Sequence, residues 1–310
     1  MTRAGFAAVI GAPNAGKSTL VNRLVGAKVS IVTKKVQTTR FPVRGVAMEG
    51  ESQVILVDTP GVFTPRRRLD RAMVRSAWAG AEDADVVVHL IDAEGEIASR
   101  EGNASGAQHR SNLDTAAMIE HLKTNGAKVI LALNKVDAVK REKLLALSQE
   151  LFDTGVYNEA FMISAETGSG VDKLKARLGE LMPEGPWLYP EDQTADLPVR
   201  LLAAEITREK IYLRVHEELP YAAAVETTQF KDMKGGAARI EQTIFVEREG
   251  QRAIVLGKDG QTLKWIGQKS REDLAEILDR PVHLFLHVKV VEDWQDKKDF
   301  YRDTGLDFDA

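Results

Sequence analysis

The chain contains no cysteine among its 310 residues. Disulfides, thiolate metal sites and thiol catalysis are therefore excluded, and a reducing compartment suits it. No apolar run approaches the roughly 20 residues that span a bilayer. The first strand-like run begins almost at the N-terminus, which leaves no room for a signal peptide, so a cytosolic location is expected. Asn103-Ala104-Ser105 matches a glycosylation sequon, but a cytosolic chain never meets that enzyme. Neither charge sign dominates, with 42 Lys and Arg against 46 Asp and Glu, so no global field draws nucleic acid to the surface. At this length a division into two domains is the natural expectation.

What is present is a set of short strings in order along the first half. Gly11-Ala12-Pro13-Asn14-Ala15-Gly16-Lys17-Ser18, followed by Thr19, fits the phosphate-loop pattern, in which successive backbone N–H groups face a β-phosphate. Lys17 supplies a point charge for the β/γ-phosphates, and the Ser18 hydroxyl can reach magnesium. Phe6–Ile10 before the loop reads as a buried strand and Ser18–Val25 after it as a helix, whose N-terminus adds partial positive charge. Val54–Val57 reads as a second buried strand and delivers Asp58-Thr59-Pro60-Gly61 to the end where α/β sheets bind ligands. Asp58 can hold magnesium through water, and the Gly61 N–H can meet a γ-phosphate. Thr38-Thr39 lies between these strings. Thr39 is the preferred magnesium ligand, though spacing alone does not separate it from Thr38.

The later strings choose the base. Val129–Leu133 delivers Asn134-Lys135-Val136-Asp137, and Ser164-Ala165-Glu166 follows. The Asp137 carboxylate can accept from both N1–H and the 2-amino group of guanine. Adenine lacks that amino group and would leave the carboxylate short of a partner, which is how sites discriminate strongly. Lys135 would lay its stem over the base, and the Ala165 N–H would meet the base O6.

These residues, with Gln37-Thr38-Thr39-Arg40 and Ser164-Ala165-Glu166-Thr167-Gly168, resemble the Era family of bacterial ribosome-assembly GTPases. The second half supports the resemblance. A helix over Leu201–Val215, with Leu201, Leu202, Ile206, Tyr212 and Leu213 able to share a face, precedes strands over Ala222–Lys231 and Arg239–Glu247. A short helix, Arg252–Leu256, leads into Gly257-Lys258-Asp259-Gly260, a longer helix to Leu278, and a strand over Val282–Val290. The order α-β-β-α-α-β with a G-x-x-G loop resembles a type II KH domain. Bare glycines there let a sugar-phosphate backbone approach. Arg252, Ile254, Gly257, Lys258, Asp259, Gly260, Lys264, Ile266 and Lys269 are the candidate RNA-binding residues, with Asp259 a departure from ideal phosphate electrostatics.

The expected fold is a doubly wound α/β P-loop GTPase domain over 1–182, a proline-bearing linker over 183–198, an α+β type II KH domain over 199–298 and a C-terminal tail over 299–310. Glu94–Asn112, rich in Gly, Ala, Ser and Asn, is expected to be a flexible surface insertion. Val62 stands where small signalling GTPases place a water-orienting glutamine, so a slow intrinsic rate is expected; Gln37 is a possible substitute. Lys17, Thr39, Gly61 and Asn14 are the residues expected to carry the chemistry.

The resemblance implies potassium as a second ion, coordinated partly by Asn14 and the loop before Thr39. It also implies the 3′ end of 16S rRNA in the 30S subunit as target, and peripheral association with the inner face of the membrane. A monomer exchanging GTP for GDP is expected. The run Arg66-Arg67-Arg68, with Arg71 and Arg75, reads either as a solvated basic face or as an RNA patch ordered by GTP. A nucleotide-gated protein adaptor and a metabolic P-loop kinase remain as alternatives; the kinase would need an acceptor site and a lid, and gives Asn134-Lys135-Val136-Asp137 no role.

Overall fold

The computed structural model describes every residue except 34, 36, 37, 126–128, 216–218 and 303. The chain forms two compact units. One comprises Met1–Ser30, Thr39–Asp196 and Asp309–Ala310, and the other Ile31–Thr38 and Leu197–Phe308.

In the first unit the order is β1 (Arg3–Ile10), α1 (Lys17–Val25), β2 (Val43–Glu49), β3 (Ser52–Asp58), α2 (Arg68–Glu82), β4 (Val86–Asp92), α3 (Ala93–Arg100), α4 (Gly106–Asn125), β5 (Val129–Asn134), α5 (Arg141–Phe152), β6 (Tyr157–Met162), α6 (Val171–Leu181) and β7 (Ala195–Asp196). The sheet order is β6-β5-β4-β1-β3-β2-β7. β1 pairs in parallel with β3 and β4, and β5 with β4 and β6, whereas β2 runs antiparallel to β3. Strands buried on both faces read as continuous apolar runs, which is why β1, β3 and β5 were visible as sequence. One core packs α1 and α6 on one face, and a second packs α2, α4 and α5 on the other. Leu20, Val21 and Leu24 of α1 are almost fully buried, each worth roughly 1.5–3 kcal/mol of transfer free energy. That anchoring holds the N-terminal turn of α1, and with it Lys17 and Ser18, in place.

Two expectations for this unit need correction. Residues 94–112 are not one irregular insertion: most of them lie in α3 and the start of α4, with only 101–105 connecting the two. Asp92 caps α3 by accepting from the Gly95 N–H at 3.1 Å. Ser105 and Gln108 cap α4 reciprocally, the Ser105 N–H donating to Gln108 Oε1 at 2.9 Å and the Gln108 N–H to Ser105 Oγ at 3.3 Å. Caps of this kind stabilise helices by about 1 kcal/mol and offset the weak composition. The stretch 183–196, expected as linker, belongs to the first unit. The fully buried Gln53 side chain accepts from the N–H groups of Leu188 (2.8 Å) and Tyr189 (3.0 Å) and donates to the Tyr189 carbonyl at 2.8 Å. β7 then extends the sheet beside β2.

The second unit contains α7 (Val199–Arg214), β8 (Ala224–Asp232), β9 (Ala238–Val246), α8 (Glu249–Leu256), α9 (Gln261–Ile277), β10 (Val282–Val290) and the short α10 (Asp299–Arg302). β9 is central, antiparallel to β8 and parallel to β10, so the expected α-β-β-α-α-β order is present. Helix α7 is not amphipathic as expected. Ala203 to Tyr212 are all buried, including Glu205, Arg208, Glu209 and Lys210, while Leu213 is exposed. Ile31, Val32 and Thr38 meet that helix or its cluster. Ile31 joins the apolar cluster of Ala203, Ile206, Ile240 and Leu274, and the Val32 N–H donates to Glu209 Oε1 at 2.9 Å. The Arg208 guanidinium pairs with Glu205 and donates to the Thr38 carbonyl. Part of the stretch expected as a tail is packed: Phe300 meets Phe245 edge-on at 4.9 Å and Tyr301 meets Phe308 at 5.2 Å.

Candidate functional site

The phosphate loop joins β1 to α1 through two left-handed residues, Asn14 (φ 64°) and Gly16 (φ 100°). Asn tolerates that region and glycine favours it. Gly16 has a second constraint, because a Cβ there would lie 2.3 Å from Asn134 Nδ2. The amide of Asn134 instead donates to the Ala15 carbonyl at 2.8 Å and accepts from the Ala165 N–H at 2.9 Å. One buried side chain at the end of β5 thereby joins the phosphate loop to the Ser164-Ala165-Glu166 loop. The Ala165 N–H, expected to meet the base, donates here to Asn134 and closes the pocket wall.

Lys17 is buried, and its ammonium donates to the carbonyls of Gly11 (3.1 Å) and Ala12 (3.0 Å). Burial lowers its pKa to about 8, with Asp58 pulling the other way. Ser18 Oγ donates to Asp58 Oδ2 at 2.7 Å and lies 2.9 Å from Thr39 Oγ1, which reaches the same carboxylate oxygen at 3.3 Å. Asp58 is completely buried, and among the described residues its Oδ1 has no hydrogen-bond partner. Burial raises its pKa, opposed by the Ser18 hydroxyl and the Lys17 charge. A buried carboxylate oxygen without a donor, beside two hydroxyls, is a hard oxygen set that fits a magnesium ion. Thr38 lies elsewhere: its hydroxyl meets Thr33 Oγ1 at 2.7 Å and the Lys35 carbonyl at 2.8 Å. Gln37 falls outside the described residues.

Thr59 Oγ1 donates to the Val9 carbonyl at 2.8 Å, and the Val62 N–H donates to the Gly11 carbonyl at 3.1 Å. The segment after β3 thus lies across the phosphate loop, where a Cβ on Gly61 would come within 3.1 Å of Pro13. Val62 is buried in an apolar cluster with Ile10 and Val57, so its side chain offers no polar atom to a water. Asp137 is exposed on the short turn Val136–Ala138, and Val136 N–H reaches the Ile163 carbonyl at 3.3 Å. Thr19 is half-buried, and Pro60 and Ser164 are buried.

Two further residues shape the pocket and were missed in the sequence. Asn22 Oδ1 accepts from the N–H groups of Val29 and Ser30, both at 2.9 Å, and fixes the exit from α1. Arg23 donates to the carbonyls of Ala165 and Glu166. Polar residues one turn after Ser18 on the same helix were the available signal.

Beside this pocket, Glu96 in the first turn of α3 is buried, and burial pushes its carboxyl up to about 7 despite Arg100, with Asp92 and Glu150 adding to the rise. A carboxyl raised on folding stabilises fully below its ordinary value near 4.5, and that contribution is lost as pH rises through about 7. The penalty near pH 8 is roughly 3 kcal/mol. Glu96→Gln should therefore raise the thermal midpoint by about 5 °C near pH 8 and change it little near pH 5. Melting curves at the two pH values check the sign.

In the second unit, Gly257-Lys258-Asp259-Gly260 turns α8 into α9 with Gly257 (φ 71°), Asp259 (φ 53°) and Gly260 (φ 73°) all left-handed. A Cβ on Gly257 would lie 2.2 Å from Thr262 Oγ1, whereas one on Gly260 meets nothing within 4 Å. Lys258, Asp259, Lys264, Arg252 and Ile254 are exposed around the loop; Arg252 pairs with Glu249 at 3.3 Å and Lys269 with Glu272 at 2.7 Å. Ile266 is an exception. It is fully buried with Ile244 and Val255, so it supports the loop from the core and cannot touch RNA.

Residues 6–135 match the family model described as 50S ribosome-binding GTPase, and residues 218–295 match the KH domain. A protein named GTPase Era from Caulobacter vibrioides is 70% identical over 309 residues, covering 100% of this chain and 98% of its own length. This chain belongs to the Era family of GTPases. The Era of Maricaulis maris is 59% identical over 99% of this chain and 98% of its own. Among solved structures, a variant of Aquifex aeolicus Era bound to GDP·AlF4− is 38% identical, with a TM-score of 0.88 over 98% of this chain and 99% of that one. Era in complex with MgGDPNP and nucleotides 1506–1542 of 16S ribosomal RNA is also 38% identical, with a TM-score of 0.86 over the same shares. The P-loop GTPase domain followed by a KH domain is thus the architecture of the Era family in this chain.

Proposed function

We propose that this protein is a GTP-binding and GTP-hydrolysing switch that binds the 3′ end of 16S rRNA and acts in biogenesis of the 30S subunit. The carrying observation is the cluster of buried Lys17, Thr39 and Asp58 with half-buried Ser18 at the mouth of the phosphate loop, in a chain whose second unit presents Lys258 and Asp259 exposed on its G-x-x-G loop. An Era protein holding MgGDPNP and 16S rRNA nucleotides supports the same ligands here.

Ser18, Thr39 and Asp58 would hold the magnesium ion, which neutralises charge on the phosphates when bound. Lys17 would leave the carbonyls of Gly11 and Ala12 for the β/γ-phosphates. The Val62 N–H must release Gly11 for the Gly61 N–H to settle on a γ-phosphate. Because the Val62 side chain contributes no polar atom, the intrinsic rate is slow, and a potassium ion at the exposed Asn14 supplies the missing charge compensation. Turnover should rise in potassium over sodium buffer, and Asn14→Ala should flatten that response; phosphate-release assays in the two salts check it. Equal rates in both salts would exclude the cation.

RNA would lie against Gly257-Lys258-Asp259-Gly260, with Arg252, Ile254, Lys264 and Lys269 beside it. Gly260→Asp places a charge in open space, so it should weaken single-stranded RNA binding about tenfold or more by losing phosphate contacts. Gly257→Ala should instead lower stability by about 1–3 kcal/mol, because of the left-handed backbone and Thr262. Filter binding with Gly260→Asp separates the RNA reading from a protein adaptor, for which RNA affinity would be unchanged. The protein acts as a cytoplasmic monomer with a peripheral site on the inner face of the membrane. No helix among the described residues is long and apolar enough to cross a bilayer.

A further inference from the structure

Asp92 ends β4 and stands opposite Asn134 in the parallel register with β5. Its two carboxylate oxygens serve different elements. Oδ2 accepts from Lys135 Nζ at 2.5 Å, and Oδ1 accepts from the Gly95 N–H at 3.1 Å, capping α3. The Asp92 side chain is 14% exposed and that of Lys135 34%, so the pair is partly shielded from solvent screening. Lys135 also sits in the left-handed region, with φ 64°, which restricts where its side chain can start. With the backbone set at one end and the ammonium held at the other, only the methylene stem is left between them.

We infer that Asp92 is a positioning residue for the nucleotide base: it holds the Lys135 ammonium so that the stem forms an apolar cover over one face of the guanine. The inference rests on the guanine-pocket reading above and extends it to a residue outside the nucleotide strings. A free lysine side chain carries a large rotamer entropy, and binding would have to remove it. Here the ion pair removes it before the nucleotide arrives, which is preorganisation and shows mainly in the dissociation rate. Pairing the ammonium with the carboxylate at the end of the side chain leaves the methylene stem as the apolar part of the cover, which suits stacking on a base. Because the same carboxylate caps α3, the cover is tied to a helix that sequence composition presents as a loop.

Asp92→Asn tests this, since the amide oxygen still accepts from Gly95 while the charge that holds Lys135 is gone. Release of a fluorescent GDP analogue should be about fivefold or more faster, with association and the thermal midpoint nearly unchanged. In a Lys135→Met background the same Asp92→Asn change should have no further effect on release, because the pair is already broken. Equal effects in the two backgrounds would overturn the inference, as would unchanged release or a lowered midpoint without faster release. Asp137→Asn run in parallel separates the two levels. If it leaves GTP affinity intact, the guanine pocket itself is wrong; if it shifts the base preference while Asp92→Asn changes nothing, only the role of Asp92 fails.

Discussion

Asp137→Asn is expected to weaken GTP binding by roughly a hundredfold to a thousandfold and to transfer preference to xanthosine triphosphate. In the proposed pocket the carboxylate would accept two hydrogen bonds from guanine, and the asparagine amide would offer a donor where guanine also presents one. Xanthine carries an oxygen at that position and restores the match. Asp137 is exposed on the turn Val136–Ala138, so the substitution should change stability by no more than about 0.5 kcal/mol. Calorimetric titration with the two nucleotides, alongside a melting curve, gives both numbers. Undiminished GTP affinity would refute the assignment of the base site.

Arg208→Ala is expected to cost about 3–5 kcal/mol of folding stability, because it strands the buried Glu205 carboxylate. Arg208 and Glu205 are both buried on α7, and the guanidinium also donates to the Thr38 carbonyl. Thr38 precedes Thr39, the residue beside Ser18 and Asp58. Loss of the anchor should therefore loosen the segment that a γ-phosphate has to order. With the intact chain, single-stranded RNA should bind more tightly beside a non-hydrolysable GTP analogue than beside GDP, by about 5- to 150-fold. Linkage requires RNA to tighten the analogue by the same factor. The pair Glu205→Leu and Arg208→Leu should recover much of the lost stability, but not the hold on Thr38, and so should narrow the difference between nucleotide states. RNA affinity measured in both states, with chemical denaturation as control, decides the point. Retention of the full nucleotide dependence in the double variant would show that Arg208 has only a folding role.

The nucleotide strings were readable because their chemistry is local. A phosphate loop is built from backbone N–H groups and glycines within a few residues, and a strand buried on both faces is a continuous apolar run. The α-β-β-α-α-β order of the second unit was readable for a similar reason, since β10 alternates at a period of two and Gly257 and Gly260 mark the bend. Composition misled at α3 and α4, where Gly, Ala, Ser and Asn suggested a loop. The signals present were Asp92 before Gly95 and Ser105 before Gln108, both capping patterns. At α7 the period marked one apolar face, yet Glu205, Arg208, Glu209 and Lys210 are also buried, each with a partner.

From sequence alone came most of the elements, the order of the domains, and the residue types expected to meet phosphate, magnesium and guanine. Each depends on spacing along the chain and on backbone geometry. Only the tertiary structure decided which of two adjacent threonines stands beside Ser18 and Asp58, and that residues 31–38 join the second unit. Only it showed that Ile266 is core, that Ala165 serves Asn134, and that Asp92 grips Lys135. Those outcomes depend on contacts between residues tens of positions or more apart. Burial makes an unpaired polar group costly, so a buried charge or amide takes whatever partner the packing brings within reach, and no local pattern names that partner.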